Sequence, residues 1–96
     1  MTEAELLMEV MRLAEENNIL AHHCGDSRRC SGNNGMPDLL LVGKHHTMYV
    51  ELKAWNKLSP SQRLWRDRLT ATGQEYAVWT PYELKTGEVQ ETLAWL

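Results

Sequence analysis

The spacing between Pro37-Asp38 and Glu51-Leu52-Lys53, with twelve residues separating the two acids, restricts this chain more than any other feature of its sequence. Leu39, Leu40, Leu41 and Val42 follow the Asp, and Met48, Tyr49 and Val50 precede the Glu. Both runs are short, apolar and β-favouring, and turn residues bound them. They read as adjacent strands joined through Gly43-Lys44-His45-His46. Side chains alternate along a strand, so Glu51 and Lys53 share one face while Leu52 enters the core. Asp38, at the mouth of the neighbouring strand, can face that pair. Two carboxylates and an ammonium on one side of a sheet make a divalent-cation site with an acid/base group beside it, an arrangement suited to phosphodiester hydrolysis.

The remaining pattern supplies the frame. Leu6, Leu7, Val10, Met11, Leu13 and Ala14 recur at helical spacing, and Thr2 with Glu5 three residues on makes a capping box, which predicts a helix over 3–17 stopped by Asn17-Asn18. A short strand is expected at 19–23, then a polar Gly/Asn/Ser-rich loop at 24–37. Strands follow at 38–42 and 47–54. Ser59-Pro60-Ser61-Gln62 opens a second helix with Ser59 as N-cap, Pro60 first and Gln62 closing the box. That helix is expected to turn Leu64, Trp65 and Leu69 inward and to end at Gly73. A strand at 75–80 is broken by Pro81, with a helical turn at 82–84 and a short helix or tail at 89–96. The order α-β-β-β-α-β, on an α/β plan, fits one domain spanning 1–96.

Composition is that of an ordinary soluble globular protein, 43% apolar and 24% charged. No run approaches the ~18 apolar residues of a membrane span, and the acidic start is unlike a secretory signal. A cytoplasmic location and reduced thiols at Cys24 and Cys30 are therefore expected. The net charge of −3 argues mildly against a nucleic-acid partner. However, carboxylates at a cation site are neutralised on binding, and many of the bases sit mid-chain, so charge leaves the question open. His22, His23, Cys24 and Cys30 lack the paired spacings of a zinc site and read as a strand entering a loop.

Gly35-Met36-Pro37-Asp38-Leu39, Val50-Glu51-Leu52-Lys53, Leu58-Ser59-Pro60-Ser61-Gln62 with Trp65, and Gly73 before a strand ending Val78-Trp79 together resemble the VRR-NUC (virus-type replication-repair nuclease) domain of the PD-(D/E)xK nuclease superfamily. The resemblance covers nearly the whole chain. It implies a restriction-endonuclease-like core with a mixed central sheet flanked by helices. It also implies a compact phage or bacterial type: a Mg²⁺- or Mn²⁺-dependent endonuclease, acting as a homodimer on branched DNA such as Holliday junctions. A flap or nicking nuclease, or a non-catalytic DNA-binding or dimerisation module on the same scaffold, are the alternatives.

On this reading Asp38 and Glu51 hold the metal, the Leu52 backbone carbonyl adds an oxygen, and Lys53 helps deprotonate water or stabilises charge on the phosphate. The family also places a Glu on the first helix. Glu3 lies in line with Leu7, Val10 and Ala14, whereas Glu5 shares the outer stripe with Glu9, Arg12 and Glu16. Glu3 is preferred for the metal, although a first-turn acid also suits the helix dipole. Where the family often has a Gln, this chain has Leu7. Gln62 is either a cap or an active-site neighbour, and Trp65 is expected in the core. Arg28 and Arg29, with Lys44 and Lys57, are candidate DNA contacts. Trp55, Trp79, Tyr82 and Trp95 could serve a dimer interface or the core.

Overall fold

The computed structural model describes residues 1–23 and 31–96. The chain runs α1 (Glu3–Glu16), β1 (Leu20–His23), β2 (Leu39–Val42), β3 (Thr47–Leu52), α2 (Pro60–Ala71), β4 (Glu75–Trp79), α3 (Pro81–Thr86) and α4 (Glu88–Trp95). Each element expected from the sequence exists, with strand ends one or two residues shorter and the last two segments both helical. The loop that carries Cys24, Arg28, Arg29 and Cys30 lies outside the described residues.

The strands form one sheet in the order β1-β2-β3-β4, antiparallel for the first two pairs and parallel between β3 and β4. A parallel pair cannot be closed by a hairpin, and α2 supplies the crossover that joins β3 to β4. The mixed sheet is thus a hairpin and a βαβ unit sharing β3.

Alternation decides what each face does. Leu39, Leu41, Met48, Val50, Leu52 and Trp79 are buried together with Leu6, Val10, Leu13 and Ala14 of α1 and with Val89, Leu93 and Leu96. This face is the core. Tyr49 and Glu51 of β3 occupy the opposite face, in register with Tyr76 and Val78 of β4, on the side where α2 packs. Trp79 therefore belongs to the core at 1% exposure, while Trp55, Tyr82 and Trp95 remain at the surface.

The second face is covered less completely. No residue of α2 is fully buried, and Leu64, expected inward, is 58% exposed, with Trp65 and Leu69 half-buried. The helix is held at its start instead. Ser59 and Gln62 form the expected capping box, the Trp65 indole N–H donates to the Asn34 carbonyl at 2.8 Å, and Gly35 meets the first turn of α2. Gly35 has φ +98°, and a Cβ built there would lie 2.4 Å from the Ser61 carbonyl carbon and 2.8 Å from the Gln62 nitrogen. Backbone meets backbone here, so neither side can yield cheaply.

Gly35→Ala should therefore destabilise the protein by at least about 2 kcal/mol, combining left-handed backbone strain with displacement of α2. Thermal unfolding should show Tm lowered by roughly 10 °C. A variant melting within a degree of the wild type would show that α2 is not seated on this glycine.

Candidate active site

The site forms where β3 ends and β2 begins, neighbouring termini because the two strands run antiparallel. Leu39 pairs with Val50, so the residues just outside that pair, Asp38 and Glu51, come side by side. Asp38 is anchored by the backbone of β3, with its Oδ2 accepting from the Leu52 N–H at 2.7 Å. Glu51 is 3% exposed, and it alone among the described residues is both fully buried and charged. Its Oε1 accepts from the Gln62 amide at 3.1 Å. Its Oε2 is buried with no hydrogen-bond partner among the described residues.

Gln62 caps α2 and also touches Glu51. Its Oε1 accepts from the Ser59 N–H at 2.9 Å and its Nε2 donates to Glu51. An amide carries acceptor and donor on one rigid plane, so capping the helix orients the donor toward the carboxylate. Lys53 follows at the end of β3, its backbone N–H bonded to the Trp79 carbonyl at 3.0 Å.

The two glutamates of α1 have different partners. Glu5 is used in the capping box, accepting from the Thr2 N–H at 2.9 Å. Glu3 reaches across to the Ala54 N–H at 3.4 Å and lines a cleft of about 170 Å³ with Asp38, Leu52, Leu7 and His23. Leu7 makes the wall of that cleft apolar where a Gln would make it polar.

Burial pushes the Glu51 carboxyl up to about 8, helped by the adjacent Asp38 carboxylate and opposed in part by Lys53. Burial also raises the Tyr76 phenol on the same face to about 12, with the Glu51 charge adding to the effect, so it stays protonated. Among the described residues no three His, Cys, Asp or Glu side chains form a ready-made ligand cluster. A magnesium-type ion keeps several waters and needs only one or two carboxylates. An unpartnered buried carboxylate oxygen beside a second carboxylate fits such an ion, and its positive charge would relieve the strain on Glu51.

The remaining candidate residues fall into separate places. Lys44 sits at the tip of the β2–β3 hairpin, the far end from Asp38, where His45 and His46 donate their backbone N–H groups to the Leu96 carbonyl at 2.7 and 3.1 Å. Lys57 lines a second concavity, together with Lys53, Arg63 and Arg66. Arg63 and Arg66 were not singled out as site residues from the sequence. The available signal was their i, i+3 spacing immediately after the capping Gln62, which puts both on one side of α2.

The fold has a counterpart among solved structures. A VRR_NUC domain protein superposes with a TM-score of 0.64 at 22% sequence identity, over 83% of this chain and 78% of the other. This likeness is one of fold, and it agrees with a restriction-endonuclease-like core: a mixed four-stranded sheet flanked by helices. No family model matches the chain, and no curated protein matches it in sequence.

The raised carboxyl fixes a sign. A folded protein that holds a proton the unfolded chain releases loses stability as pH rises from about 4.5, the ordinary value, to about 8. Without divalent metal, stability should decline through that window by up to about 1 kcal/mol per pH unit. Glu51→Gln should abolish that decline and be the more stable protein at alkaline pH. Urea unfolding in chelator across the window measures it; parallel pH profiles for the two proteins would contradict the burial argument.

Proposed function

We propose that this chain is a divalent-metal-dependent nuclease that hydrolyses phosphodiester bonds in DNA. The observation that carries the reading is the Glu51 Oε2, buried with no described group donating to it, beside Asp38 and two residues before Lys53. A carboxylate kept dry next to a second carboxylate costs stability unless a proton or a cation is shared between them, and a bound divalent ion would displace that proton. The fold likeness to a VRR_NUC domain protein adds independent support.

Asp38 and Glu51 would hold Mg²⁺ or Mn²⁺, with Glu3 and the Leu52 carbonyl as further oxygens, and the ion would supply Lewis acidity at the phosphate and a more acidic water. The chain's own residues do the rest. The Leu52 N–H and the Gln62 amide fix the two carboxylates, so no reorganisation is needed when charge develops. Lys53 places an ammonium at the same sheet end, where it stabilises the extra negative charge of the phosphorane-like transition state or takes part in moving the proton from the attacking water. Gln62 orients the water or the scissile phosphate from the start of α2.

One chain brings one such site. Branched DNA such as a Holliday junction needs two cuts, which a homodimer would provide. That geometry is the finer part of the proposal.

Lys53→Ala and Glu51→Gln should each reduce cleavage of a four-way junction in Mg²⁺ by at least about 100-fold, the usual effect of removing one electrostatic or acid–base group. The same assay on flap, splayed and linear duplexes ranks the substrates. Wild-type cleavage by Lys53→Ala would end this mechanism, and calorimetry showing no divalent-ion binding by the wild type would favour a non-catalytic DNA-binding module.

A further inference from the structure

A groove of about 340 Å³ lies on the α2 side of the sheet, beside the end of β3. Lys53, Lys57, Arg63 and Arg66 line it, over a floor that includes Val78 of β4 and Thr80, the N-cap of α3. Among the described residues lining it, four are cationic and none is acidic, in a chain whose net charge is −3. The positive charge is thus concentrated where the rest of the molecule is acidic.

Two features show that the cations are arranged rather than scattered. Arg63 donates from Nη1 to the Leu58 carbonyl at 2.8 Å, which fixes the guanidinium against the strand-to-helix connection. Arg66 sits one turn further along α2 and donates from Nε to Asp67 at 2.9 Å. That exposed pair is weak, and it leaves the terminal guanidinium nitrogens of Arg66 able to donate elsewhere. Arg presents a planar fork that suits phosphate oxygens.

The groove and the cleft take consecutive residues from the end of β3. Leu52 lines the cleft that holds Glu3 and Asp38, and Lys53, the next residue, lines the groove. Lys53, two residues after Glu51, is the lining residue of the groove that lies nearest in sequence to the candidate carboxylates.

We propose that this groove is a nucleic-acid backbone subsite: Lys57, Arg63 and Arg66 bind phosphates flanking the scissile one and lead the strand across Lys53 into the cleft. The inference rests on the nuclease reading for its placement of the scissile phosphate, but the subsite is a binding claim and is tested by binding. It gives α2 a second use. The helix start fixes Glu51 through Gln62, and the next turn holds the substrate in register with that carboxylate. Phosphate contacts position without reading bases, so the subsite is indifferent to sequence.

The test compares Arg63→Ala/Arg66→Ala with its parent, both carrying Glu51→Gln so that binding is not followed by cutting. Fluorescence anisotropy with labelled single-stranded and duplex DNA over a range of salt gives affinity and salt slope. Removing two phosphate contacts should weaken binding about tenfold or more at low salt and flatten the slope of log K against log salt by about 1 to 2. Arg63→Lys/Arg66→Lys should recover most of both. Arg12→Ala, a charge removed from the outer face of α1, should change neither. The arm with the larger loss identifies whether a single strand or a duplex lies in the groove. Unchanged affinity and slope in the double alanine variant overturns the subsite, as does a loss matched by Arg12→Ala. A protein that binds DNA with the expected Arg63/Arg66 dependence but leaves it uncut in Mg²⁺ and Mn²⁺ keeps the subsite and removes the nuclease reading. Cutting with no Arg63/Arg66 dependence does the reverse.

Discussion

A carboxylate taken out of water organises this molecule. Glu51 sits at 3% exposure on β3, with one oxygen on the Gln62 amide and the other unpartnered. Burying such a group is unfavourable for a fold at neutral pH, and a neighbouring Asp38 increases the cost. The surrounding structure is arranged to keep the pair in place: a β3 backbone N–H fixes Asp38, and a helix start fixes Glu51.

At the start of α2 one side chain serves both the helix cap and the buried carboxylate. Its capping box would be needed to start a helix there under any function. Because the capping residue is Gln, the amide has a second end, and the βαβ crossover carries that end over the sheet to Glu51. Gly35 and Trp65 hold the turn down from the other side. The Gly35 contact lies three residues before Asp38, so one short segment both carries that acid to Glu51 and seats the helix opposite it. With few buried side chains of its own, α2 relies on these end contacts, and its exposed flanks are left to bound the basic groove.

Charge distribution clarifies what a net value hides. At −3 overall the chain looks a poor partner for a polyanion. The carboxylates of the site account for part of that total, and they are the groups a divalent cation would neutralise. The cations at 53, 57, 63 and 66 share one groove. Attraction to nucleic acid is set by local potential rather than by the sum.

Much of this was legible in the chain itself. The period-3.6 pattern made α1 readable, short apolar runs bounded by turn residues made β2 and β3 readable, and strand alternation then put Glu51 and Lys53 on one face. Capping chemistry is local, so both helix starts were readable to the residue. Four things needed the tertiary structure. Leu64 is 58% exposed on a helix with no fully buried residue, which its apolar spacing cannot reveal. Trp79 is core rather than surface because the parallel pairing to β3 puts it beside Leu52. Glu3 is separated from Glu5 by which backbone N–H each one meets, and one of those lies fifty-one residues away. Arg63 and Arg66 join Lys53 and Lys57 in a groove because a crossover helix returns over its own strand. Local sequence determines which groups a segment carries and which face they take. Only the packing of distant segments determines which of those groups meet.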